Sequence, residues 1–166
     1  MPQSVLSTGF DVAQRHARIL ARVLVLLEPD LPLRPEQLEQ EDENLLLKLD
    51  QFQSRFTKLQ DHLGARLFAA LLEALGEDAH SMSALDRTYR LEALGFLPDA
   101  EKWIAWRAIR NQLSHDYPGQ TEELCAGFQL AFAAAKDLLG TWQHLLQKVL
   151  LHPILSQALS KDNVNA

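Results

Sequence analysis

Two runs of apolar residues at alternating steps of four and three dominate this chain and leave it few folds. Leu45, Leu49, Phe52, Phe56, Leu59 and Leu63 form the first, and Leu124, Phe128, Ala131, Ala135, Leu138, Trp142, Leu145 and Val149 the second. Such spacing keeps one stripe of a helix apolar over many turns, as in antiparallel bundle helices packed along their length. No segment alternates apolar and polar residues as a half-buried strand would. The fold class expected is therefore all-α, an antiparallel helical bundle of four to five helices. The heptads leave open whether part of a seam faces a second subunit.

Punctuation divides the rest. Val12, His16, Ile19, Val23 and Leu27 predict one face of a first helix, which Pro29, Pro32 and Pro35 end. The seam segment runs from about Glu36 to Leu75, with Gly64 a candidate bend. After a break at 76–83, a short helix is expected near Ala84–Leu94. Asp99 is a suitable N-cap for a helix at about 100–116, which Pro118 and Gly119 close. Thr121-Glu122-Glu123 opens the last long helix with acids that suit the helix dipole, and Pro153 ends it. The tail from Ser160 to Ala166 is polar and expected to fray.

Composition narrows the function classes. At 166 residues the chain suits one domain, taken as 1–166. A net charge of −6 argues against a surface basic all round, though not against a local basic patch. The start is too polar for a signal peptide, and Arg22 interrupts the most apolar run, which is too short to span a membrane. The lone Cys125 reads as a small buried thiol, and a cytoplasmic location is expected. No spacing of His, Cys and Asp suggests a metal site, and no cofactor is expected.

The chemistry concentrates in Arg110-Asn111-Gln112-Leu113-Ser114-His115-Asp116-Tyr117. On a helical wheel Trp103, Trp106, Arg110 and Leu113 fall within about 80° of one another. An arginine on an aromatic stripe needs a carboxylate, a phosphate or a watery groove. His115 lies about 140° from Arg110 on a regular helix, so the two converge only if the helix unwinds there. Asn111, four residues before His115, is placed to orient its ring. A second cluster, Arg55, Lys58, His62 and Arg66, makes a basic stripe on the long helix. It can track a phosphate backbone or be merely solvated. Lys102 and Arg107 extend a positive rim, and Trp103 and Trp106 are expected in a core or interface rather than stacked on bases.

Arg-x-x-x-x-His alone is a weak motif, but the extended string is restrictive. RNQLSHDY resembles the signature of the HEPN superfamily, in particular the HepT-like toxins paired with a minimal nucleotidyltransferase antitoxin. Arg110, Asn111, His115 and Tyr117 match that pattern position by position, and the resemblance spans roughly Leu45 to Leu146. It implies a homodimeric, metal-independent endoribonuclease, the toxin of a type VII-like toxin–antitoxin pair. Arg110, His115 and Asn111 would be the catalytic residues, and the basic stripe and rim already read from the sequence, Arg55, Lys58, Arg66, Lys102 and Arg107, would then be the RNA contacts. Tyr117 would be the acceptor of AMP from the cognate nucleotidyltransferase. Two other readings stand beside it. One is a non-catalytic HEPN partner, or nucleotide-binding subunit, of a nucleotidyltransferase. The other is a helical assembly protein in which the motif is incidental.

Overall fold

The structure, a computed structural model, describes residues 2–113 and 120–160. Among them it is all-α, with no strand. Helix α1 spans Pro2–Leu27, α2 Pro35–Glu39 and α3 Glu43–His62. A π turn, Leu63–Leu67, joins α3 directly to α4, Phe68–Ala74. Helices α5, Ala84–Ala93, and α6, Ala100–Leu113, precede the longest, α7, Thr121–Leu151, and α8, Pro153–Ser160.

Both seams are core. Leu45, Leu49, Phe52, Phe56, Leu59 and Leu63 are buried, as are Phe128, Ala131, Ala135, Leu138, Trp142, Leu145 and Val149. They meet through aromatic rings: Phe52 lies edge-on to Phe132 at 4.7 Å and also contacts Phe56 and Phe128. Helix α1 covers this layer. Its Phe10 packs on Trp142, whose indole Nε1 donates to Gln14 Oε1 at 2.9 Å.

The phase of α1 differs from the sequence expectation. The buried line is Leu6, Phe10, Ala13, Ala17, Leu20, Val23, Leu24 and Leu27, so the expected Val23 and Leu27 are core while Val12, His16 and Ile19 sit half-buried on its flank. Alanines 13 and 17 carry little hydrophobicity, so a reading by large side chains picks the flank. Their small size is what lets α1 lie close to α3.

The caps follow local chemistry. Asp42 accepts from the Asn44 amide at the start of α3, and Ser83 and Asp86 form a reciprocal capping box on α5. Asp99 accepts from the Lys102 amide at 3.0 Å, as its N-cap assignment requires. The expected long helix from about Glu36 is broken, because Glu41 adopts a positive φ of 49° between α2 and α3. Pro153 ends α7, as expected, and also opens a further helix, α8. Leu155 and Ala158 pin α8 to the core.

The π turn has a reason in the seam. Leu59, Leu63, Leu67 and Leu71 are separated by three successive steps of four, which drift around a regular helix by about 40° each. Winding one turn more loosely, with the Phe68 amide donating to Leu63 O, keeps all four buried. The same turn packs tightly on both sides. A Cβ on Gly9 of α1 would lie 3.0 Å from Leu67 Cδ1, and one on Gly64 would lie 3.2 Å from Trp103 Cζ2 of α6.

Candidate functional site at the end of α6

Helix α6 runs antiparallel to α3 and delivers Arg110 to the bundle surface in its last turn. Trp103 and Trp106 anchor it: Trp103 is 1% exposed and stacks obliquely on Phe68 at 4.7 Å, and Trp106 meets it edge-on. Both indoles are therefore core, not platforms for bases. The backbone carbonyl of Leu113 accepts from Gln53 Nε2 at 2.9 Å, which ties α6 to α3.

Arg110 has the carboxylate partner that its place on an aromatic stripe requires. Its Nη1 donates to Asp61 Oδ1, and its side chain is 13% exposed against 54% for Asp61. Asp61 lies 49 residues away in sequence, so no local pattern could have revealed it. The guanidinium is thus held at the surface in a set direction, with its charge partly desolvated. Asn111 is exposed on the outer side of the same turn. His115 and Tyr117 lie outside the described residues, so their relation to Arg110 is not described.

The cations expected to bind RNA divide into two groups. Arg107 lies one turn before Arg110 and lines a depression of about 290 Å³ with Gln60, Asp61, Gly64, Ala84 and Arg87. Lys102 is exposed on α6, about 12 Å along the axis from Arg110. Arg55, Lys58 and Arg66 do not join them. Arg55 on α3 and Arg66 on the π turn lie about 120–140° around from Asp61 and look toward α1, whereas Lys58 stands exposed about 60° from Asp61. Arg55 Nη1 lies 3.1 Å from His16 Nδ1, and His62 Nε2 donates to Gly9 O at 2.8 Å. Arg66 and His62 line a second depression of about 280 Å³ with Val5, Thr8, Gly9 and Val12. Burial, then the charge of Arg55, with smaller effects from His62, Lys58 and Arg15, holds His16 below the usual histidine range. An unprotonated Nδ1 is what allows it to accept from Arg55.

One feature had no clear sequence signal. Gln60, beside the seam residue Leu59, is 1% exposed, and neither its amide nitrogen nor its oxygen has a partner among the described residues. A buried unsatisfied polar group costs about 1–3 kcal/mol, so the position bears a penalty that a leucine would avoid.

Cys125 is the buried thiol expected, donating to Leu33 O at 2.9 Å, and burial pushes its pKa up. Among the described residues no three His, Cys, Asp or Glu side chains are grouped to hold a metal ion. No helix among them is long and apolar enough to cross a membrane. No family model, no curated protein and no solved structure matches this chain.

Proposed function

We propose that this protein is a HEPN-like, metal-independent endoribonuclease that acts as the toxin of a toxin–antitoxin pair with a nucleotidyltransferase. The observation that carries this reading is Arg110: a partly desolvated guanidinium, aimed by Asp61 at the end of α6, from which the string RNQLSHDY continues.

RNA brings its own nucleophile. The 2′-hydroxyl attacks the adjacent phosphorus, the bond to O5′ breaks, and a cyclic phosphate and a 5′-hydroxyl result. The protein must take a proton from the 2′-oxygen, return one to O5′ and stabilise the charge on the phosphoryl oxygens. His115 is the acid–base residue in this scheme and Arg110 the charge stabiliser, with Asn111 orienting the imidazole or contacting the phosphate. The protein acts as a cytoplasmic homodimer with two motif copies lining one cleft. Neutralisation proceeds by attack of the Tyr117 phenol on the α-phosphorus of ATP, releasing pyrophosphate and leaving AMP on the ring.

A second reading is favoured by the same ion pair. If Arg110 and Asp61 serve only to join α6 to α3, the chain is a non-catalytic helical partner of a nucleotidyltransferase. RNA cleavage by wild type, Arg110→Ala, His115→Ala and Asp61→Asn proteins in EDTA separates the two. Cleavage by wild type that falls at least about a hundredfold in the Arg110 and His115 variants supports the nuclease. Equal cleavage by all four removes the proposed site. Mass spectrometry of Tyr117 after co-expression with the nucleotidyltransferase tests the regulatory step: full neutralisation with an unmodified ring rules it out.

A further inference from the structure

We propose that the depression between α1 and the junction of α3, the π turn and α4 binds a small apolar carboxylic acid as its anion. The carboxylate sits on Arg66, and the carbon body lies against Val5, Val12, Leu67 and Ala70. The site is on the α1 side of α3, away from Arg110, and does not depend on the ribonuclease reading.

Apolar walls and a few polar groups at the edge are the ordinary make-up of a small-molecule site, the walls giving affinity and the polar groups orientation. Here the polar groups are Arg66, His62 and the Thr8 hydroxyl. Arg66 and Thr8 are exposed, and Arg66 makes no ion pair among the described residues. The His62 ring is fixed by the bond from Nε2 to Gly9 O at 2.8 Å. Its Nδ1 has no partner among the described residues and is not shut away from solvent. On taking a proton it becomes a second donor to an anion.

The surroundings select the sign of the ligand. No carboxylate lines the depression. The neighbouring ring of His16, 6.5 Å from that of His62 between centroids, is acted on by positive charges alone: Arg55, His62, Lys58 and Arg15. The acids of the adjoining helices are turned elsewhere. Asp11, the one acid of α1, lines the depression on the α7 side, Asp61 engages Arg110, and Glu73 pairs with His80. In a chain of net charge −6, this pocket is therefore a local anion site. A single planar guanidinium at the rim matches one carboxylate bidentately. The volume of about 280 Å³, near the lower end of the roughly 300–1,000 Å³ typical of small-molecule sites, suits a small acid rather than a lipid chain.

The test uses the full chain, labelled with 15N and titrated with hexanoate, acetate and hexanol. Hexanoate should shift the backbone amide resonances of Thr8, Gly9, Leu67 and Ala70. Acetate, which lacks the body, and hexanol, which lacks the charge, should each bind at least about tenfold more weakly. Arg66→Ala, at an exposed position, should weaken hexanoate about tenfold and leave hexanol unchanged. Ala70→Leu should fill the depression and remove binding of both, with the far-ultraviolet circular dichroism intact. The proposal fails if hexanoate moves none of these resonances, if hexanol binds as tightly, or if Arg66→Ala binds hexanoate as wild type does. Shifts of the same resonances by phosphatidylglycerol vesicles but not by hexanoate would assign the depression to a lipid headgroup and overturn it. The same shifts by oligouridylate, undisturbed by hexanoate, would make the depression part of an RNA track and overturn it equally.

Discussion

The two long faces of α3 are built from the same helix and differ in how their polar groups are satisfied. Toward α1, Arg55 and His62 are tied to His16 and to Gly9 O in a cluster of cations with a neutral imidazole inside. Toward α6, Gln53 donates to Leu113 O, Asp61 aims Arg110, and the buried Gln60 amide has no partner among the described residues. The α1 face spreads positive charge over a broad surface, which suits nonspecific attraction of an anionic strand. The α6 face sets individual groups in defined directions, as chemistry and recognition require.

The largest expected effect tests whether the α6 face depends on its aromatic anchors. Trp103→Ala should cost about 3–5 kcal/mol of stability, read by chemical denaturation. An effect below about 1 kcal/mol would mean that the indole does not hold α6 to Phe68 and Gly64. Next comes Arg110→Ala. It should lower RNA cleavage by about 10²–10³-fold and leave the far-ultraviolet circular dichroism intact. A loss no greater than that of Arg55→Ala would erase the functional difference between the faces.

Gly64→Ala sharpens the same contrast. Its methyl meets Trp103 at 3.2 Å, so a loss of about 1–3 kcal/mol is expected, against a gain of about 0.5–1 kcal/mol for Gly140→Ala inside α7, where the added atom meets nothing. Equal Tm values for the two variants would show that α6 yields to the methyl.

The smallest effects belong to the α1 face. Each of Arg55→Ala and Lys58→Ala should weaken RNA binding uniformly across sequences and reduce the slope of log affinity against log salt by about one. A change in base preference instead would move recognition to this face. His16, with its pKa lowered in the folded state, contributes stability that is fully present above its ordinary pKa. That stability is lost as pH falls from about 6.5 through the lower folded value, because the unfolded chain takes up the proton first. Tm measured between pH 8 and 5 should therefore fall less in His16→Gln. Parallel curves would show that burial against Arg55 does not control this group.

Much of the scaffold was legible because it rests on local periodicity. The α3 and α7 seams, the Asp99 cap, the break at 76–83 and the stop before Pro153 all follow from side-chain type and spacing along one helix. In α1 large side chains mark only part of the buried line, Val23 and Leu27, because alanines carry much of the rest, and α8 is not legible locally because a proline that ends one helix also starts another well. At the site, Arg110's need for a partner was readable from its aromatic stripe, whereas the partner's identity was not. The pairing of Asp61 with Arg110, of Arg55 with His16, and the burial of Gln60 all depend on helices far apart in the chain.

The sequence by itself therefore determined that this chain is a helical bundle, where most of its helices begin and end, and which residues carry usable chemistry. The hydrophobic period and the caps act within a few residues and need no knowledge of neighbours. The tertiary structure alone decided which of those residues meet. Crossing helices bring side chains together by packing, and a cation's partner or an amide's lack of one is set by whichever helix lies opposite. That is why the basic stripe and Arg110, both plain in the sequence, came to rest on different faces of α3.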